Sequence, residues 1–99
     1  MKVIFAEPAL DDLKEILAFL SANYPQLADV VSARIRETLA RLSRFPNSAR
    51  IINQREGVRV IPLNRYPYRI FYRVGEEAIE VLHIHHAARE PWLDRGHGE

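Results

Sequence analysis

Residues 59–89 read RVIPLNRYPYRIFYRVGEEAIEVLHIHHAAR, and the fold turns on this stretch. Between Tyr68 and Val74 two kinds of residue alternate. Tyr68, Ile70, Tyr72 and Val74 fall on one side, and Arg69, Phe71 and Arg73 on the other. A period of two belongs to a strand with two unlike faces. A similar apolar run at 58–63 precedes it, and another at 79–84 follows. Asn64-Arg65-Tyr66-Pro67 separates the first pair. Gly75-Glu76-Glu77 forms a tight turn between the second, with Gly supplying the unusual backbone angles. The stretch therefore predicts three consecutive antiparallel strands. With a two- or four-residue loop at Gly75, Ile79, Val81 and His83 share the Tyr68 side. Glu80, Leu82 and Ile84 then share the Arg69 side; a three-residue loop exchanges the two sets.

Working outward, residues 2–6 (KVIFA) form a short strand candidate. Glu7-Pro8 opens a helix, because a proline at the first helical position loses no hydrogen bond. Leu10, Leu13, Ile16, Leu17 and Leu20 make its apolar stripe, and Tyr24 before Pro25 stops it near Ala22. A second helix over 26–44 carries Leu27, Val31, Ile35, Leu39 and Leu42 and ends at Phe45-Pro46. The short link makes the two an antiparallel hairpin. Residues 47–57 are a polar connection holding a short extended piece at Ile51-Ile52. The expected architecture is α+β: an N-terminal strand, a helical hairpin, then a three-stranded meander, with the helices on the Tyr68 face. Residues 1–93 form one domain and residues 94–99 a flexible tail.

The 99 residues are 47% hydrophobic and 27% charged, the balance of a globular domain rather than a disordered chain. No cysteine is present, which excludes disulfides, thiolate metal sites and a cysteine nucleophile. The first apolar run is only four residues long. Neither a signal peptide nor a membrane span is expected, and the cytoplasm is the expected location. The net charge of +1 hides an asymmetry. Residues 1–29 hold two lysines against five acids, while residues 41–74 hold eight arginines against Glu56 alone. Guanidinium forks suit carboxylates and phosphates, so the basic part calls for an anionic partner.

No glycine-rich phosphate loop and no nucleophile elbow occurs, so neither nucleotide cofactor chemistry nor a serine hydrolase is supported. His83, His85 and His86 lie close together. In a strand the first two share a face and His86 points away. They are read as locally hydrogen-bonded imidazoles, with no metal or cofactor expected. Arg69, Arg73, His85, His86 and Arg89 are of the types that metal-free RNA cleavage requires. The competing reading is a partner-binding face, mixed basic and apolar, that an acidic amphipathic segment would match. Trp92 and Leu93 would fold back over part of it.

In this order and spacing, the chain resembles the RelE/ParE superfamily of toxins from bacterial type II toxin–antitoxin modules, from Lys2 to about Trp92. The resemblance rests on Pro8-Ala9-Leu10-Asp11-Asp12-Leu13, on Leu42-Ser43-Arg44-Phe45-Pro46, on Pro67-Tyr68-Arg69-Ile70-Phe71-Tyr72-Arg73-Val74, and on Ile79-Glu80-Val81-Leu82-His83-Ile84. RelE-like members are ribosome-dependent mRNA endonucleases, and the characterised ParE-like members are gyrase poisons. The long hairpin, the Phe-Pro stop and the PYRIFYRV strand look more like the ParE branch. Arg69 falls where RelE-like enzymes carry a catalytic arginine, but no Tyr follows Tyr72.

The resemblance thus implies a toxin that inhibits DNA gyrase and is neutralised by the acidic C-terminal segment of a cognate antitoxin. Its partner-binding residues would be Arg59, Arg69, Phe71, Arg73, Leu82, Ile84 and Trp92, with no catalytic residue. The alternative is an mRNA endonuclease acting at the ribosome through Arg69, His86 and Arg89. A third is an inactive toxin fold retained for antitoxin binding.

Overall fold

The computed structural model describes residues 1–87. Strand β1 (Lys2–Phe5) leads into helix α1 (Glu7–Asn23) and helix α2 (Pro25–Arg44). Strands β2 (Arg50–Asn53), β3 (Val58–Pro62), β4 (Tyr68–Val74) and β5 (Ala78–His86) follow. The five strands form one sheet in the order β1-β5-β4-β3-β2, with β1 parallel to β5 and the other neighbours antiparallel. The extended piece expected at Ile51-Ile52 is thus a full edge strand, which makes the meander four-stranded.

Pro8 sits in the first turn of α1, where no helical acceptor awaits an N–H. The hairpin link is a single residue. Tyr24 leaves the helical region (φ −145°, ψ 67°), as expected before Pro25, and its N–H bonds to Leu20 O at 2.6 Å. Phe45 ends α2 in the same way, bonding Arg41 O at 2.9 Å.

The hairpin packs on the Tyr68 side of the sheet. Leu20 from α1 and Val31, Ile35, Leu39 and Leu42 from α2 meet Tyr68, Ile70, Tyr72, Ile79 and Val81. Leu10, placed in the α1 stripe by its spacing, is instead exposed, and the smaller Ala9 is buried in its place. The Tyr72 hydroxyl donates to Pro46 O at 2.9 Å, tying the end of α2 to the middle of the sheet. On the far side a second, smaller cluster joins Val58, Val60 and Phe71, with Ile52 and Leu82 against it.

The alternation along β4 holds, and the loop after it has four residues between the pair Val74 and Ile79. The faces of β5 nevertheless depart from simple alternation. Tyr72 pairs with Val81 but Phe71 pairs with His83, so Leu82 and His83 together oppose one residue. That is a β-bulge, and beyond it every side chain changes face. Ile84 therefore joins the helix-side core at 2% exposure, while His83 moves to the Phe71 side. The expected assignment of Ile84 and His83 is reversed.

Among the described residues, no helix is long and apolar enough to cross a membrane.

Candidate functional site

The sheet face away from the helices carries Arg69, Phe71 and Arg73 from β4. Their cross-strand neighbours on β5 are Glu80, Leu82, His83 and His85. Its apolar centre is closed: Phe71 and Val58 are fully buried. Arg73 stands at the margin and pairs with Glu80 at 3.3 Å, both side chains being about half exposed (44% and 45%). In that setting the pair contributes roughly 0–1 kcal/mol, leaving the guanidinium available to a stronger anionic partner.

Ile84, expected on this face, is elsewhere, as are the partner-binding candidate Arg59 and the candidate catalytic His86. Arg59 pairs with Tyr72 and points to the helix side, where Nη1 donates to Ala49 O at 2.6 Å and Asn47 O at 3.3 Å. Its guanidinium holds the connection after α2 in place. Ile84 is a core residue for the reason given above. His86 pairs with Tyr68, on the helix side, with the rings edge to face at 5.4 Å. Arg69 is paired with His85, so Arg69 and His86 project from opposite faces. The arginine–histidine combination expected for RNA cleavage is therefore not assembled from those two. The imidazoles on the Arg69 face are His83 and His85. Arg89 and Trp92 lie outside the described residues, as does the tail at 94–99.

One constellation was not visible in the sequence. Strand β1 covers the outer edge of β5 only as far as Val81, and Ala6 N–H closes that ladder on Val81 O at 2.9 Å. Beyond it, α1 takes over. Asp12 Oδ2 accepts the Ile84 N–H at 2.9 Å, lies 3.3 Å from His83 Nδ1 and 3.8 Å from His85 Nε2. The two imidazole rings are 4.8 Å apart, and His85 also meets the Phe71 ring at 5.4 Å. Burial holds the His85 imidazole below its usual pKa, Asp12 opposes that shift, and His83 adds to it. Burial thus favours the neutral form of the His85 imidazole. The His83–His85 spacing was legible, but nothing in the sequence places Asp12, 71 residues earlier than His83, beside them.

Next to this cluster the hairpin and the end of the sheet enclose a groove of about 610 Å³. It is lined by Asp12, Glu15, Phe19, Leu20, Tyr24 and Leu27 from the helical hairpin, by Tyr66, Pro67 and Tyr68, and by Ile84, His85 and His86. Phe19, Tyr24 and Leu27 are exposed.

A parallel strand leading into a helical hairpin, laid on an antiparallel meander, is the architecture of toxins of the RelE and ParE kind. In the P. aeruginosa chromosomal ParDE toxin–antitoxin system, a chain 26% identical is superimposed with a TM-score of 0.74, covering 87% of this chain and 95% of that one. The isolated E. coli RelE toxin, 18% identical, covers 98% of this chain and 95% of its own, with a TM-score of 0.65. The RelBE2 toxin–antitoxin complex of Mycobacterium tuberculosis offers a chain 22% identical, covering 86% and 95%, with a TM-score of 0.57. At the last two identities the likeness is one of fold alone. No curated protein matches the sequence. The family described as the ParE toxin of the type II toxin–antitoxin system, parDE, matches residues 3–91, and the chain belongs to that family.

Proposed function

We propose that this toxin acts on DNA gyrase, as the ParE branch implies, and does so without cutting RNA. The observation that carries the reading is the divergence of Arg69 and His86 across the sheet. General acid–base cleavage requires its acid, base and cation to converge on one phosphate. The family match over residues 3–91 supports the same branch.

We further propose that a cognate antitoxin silences it. The antitoxin's acidic, partly apolar segment would lie along the hairpin and the basic sheet margin. Exposed Phe19, Tyr24 and Leu27 offer apolar anchors, and Arg73 offers a cation. The hairpin anchors fit the helix-in-groove mode, and Arg73, at the far end of β4 on the opposite sheet face, would pair with an acidic stretch further along the segment.

A second reading, an mRNA endonuclease acting at the ribosome, draws support from Arg69 sharing a face with His83 and His85. Purified toxin assayed for gyrase supercoiling and for mRNA cleavage in a translating extract separates the two. Inhibited supercoiling with intact mRNA is the expected result. Cleavage of mRNA that disappears in Arg69→Ala would overturn it in favour of the endonuclease. Failure in both assays, with tight antitoxin binding retained, would identify an inactive toxin fold kept for that contact.

A further inference from the structure

The structure assigns a site for one zinc-type divalent cation to Asp12, His83 and His85, where α1 crosses the open edge of β5. One ligand atom from each residue lies within 4.8 Å of the other two. Tetrahedral zinc holds its nitrogen and oxygen donors at about 2.0–2.2 Å, which sets donor–donor separations of roughly 3.4 Å. Asp12 Oδ2 is already 3.3 Å from His83 Nδ1 and 3.8 Å from His85 Nε2.

The chemistry of the donors selects the ion. Two imidazoles and one carboxylate suit zinc and its borderline neighbours, whereas magnesium favours an all-oxygen shell. His85 Nε2 is the nitrogen that faces Asp12; its Nδ1 is buried with no hydrogen-bond partner among the described residues. Ile84 N–H bonds to Oδ2 and fixes the carboxylate, an outer contact of the kind that orients metal ligands. The side chains are 15–27% exposed, so an ion can enter from solvent and keep water at its open position. Arg69, paired with His85 on the same face, lowers the affinity, while Glu15, lining the groove beside Asp12, raises it.

A bound ion would join α1 to β5 along the part of β5 that β1 leaves uncovered. The site would be a structural clamp and separate from target inhibition, so its test does not depend on the function proposed above.

The untagged full-length chain, stripped with a chelator, is titrated with zinc chloride by calorimetry and followed by thermal melting. One saturable equivalent per chain and a higher Tm are expected. Cobalt chloride should give the visible absorption of a low-coordinate site. Asp12→Asn and His85→Gln should each weaken zinc at least tenfold. His83→Gln leaves the Asp12–Ile84 bond intact and should weaken it equally, which keeps the test valid if Asp12→Asn does not fold. Magnesium chloride should leave Tm unchanged. Zinc binding that is absent, or equally tight in all three variants, overturns the site. So does a magnesium shift equal to that from zinc.

Discussion

The carboxylate of Asp12 accepts the backbone N–H of Ile84 at 2.9 Å, joining the second turn of α1 to a strand 72 residues further along. Antiparallel and parallel ladders satisfy an amide by supplying another strand. Here β1 has already turned into the helix at Ala6, and a side chain does that work. Replacing Asp12 by Ala leaves the amide half-buried and unpaired. A loss of about 1–3 kcal/mol is expected from urea denaturation. Glu15→Ala, three residues on and in the same helix, should stay within about 0.5 kcal/mol. Equal effects from the two would show that the contact with Ile84 does not matter to stability.

Tyr72 supplies the pH dependence on the alkaline side. Burial raises its pKa above the ordinary 10.0, against the pull of Arg59. A folded-state pKa above the unfolded value stabilises the protein fully below the unfolded value. That contribution is lost as pH rises through the folded value. Melting temperatures should therefore fall above about pH 10, where the unfolded phenol begins to ionise. Tyr72→Phe should soften that fall while costing about 1 kcal/mol at neutral pH through the lost bond to Pro46. An alkaline profile identical to that of the unaltered chain would rule this out.

Phe71 and Arg73 stand two apart on the same face of β4 yet should respond oppositely. Phe71 is fully buried between Val58, Val60 and Leu82, so Phe71→Ala should cost about 3–5 kcal/mol. Arg73→Ala removes a half-exposed ion pair and should change stability by no more than about 1 kcal/mol. Its effect should appear instead as weaker antitoxin binding in a titration. A mild Phe71→Ala would mean that this face forms no core of its own.

Gly57 closes the β2–β3 connection at φ +69°, a conformation that costs residues with a Cβ atom. Nothing lies within 4 Å of the place a Cβ would take, so the cost of Gly57→Ala is one of backbone alone. It should be about 1 kcal/mol by chemical denaturation. A neutral result would mean that the turn relaxes to a negative φ without loss.

The helical hairpin, the meander and the unlike faces of β4 were all legible by themselves. Prolines at Pro8, Pro25 and Pro46 punctuate the helices. The 3.6- and 2-residue periods place the apolar residues, and both signals act within a few residues of one another. The strand at Ile51-Ile52 was barely visible, because four residues carry too little periodicity to separate an edge strand from a loop. What the local pattern did not contain was the bulge at Leu82. It exchanges the faces of Ile84 and His83, and it arises from pairing with β4 rather than from the composition of β5. Arg59 and His86 were assigned by charge and proximity along the chain, which say nothing about the face a pairing will choose. In the sequence Asp12 is one of several acids near the start of α1, with no local signal of a role at β5. Only the crossing of α1 over the end of β5 brings it to Ile84, His83 and His85, because contacts between residues 71 to 73 apart depend on how layers stack, and no period within one element encodes that.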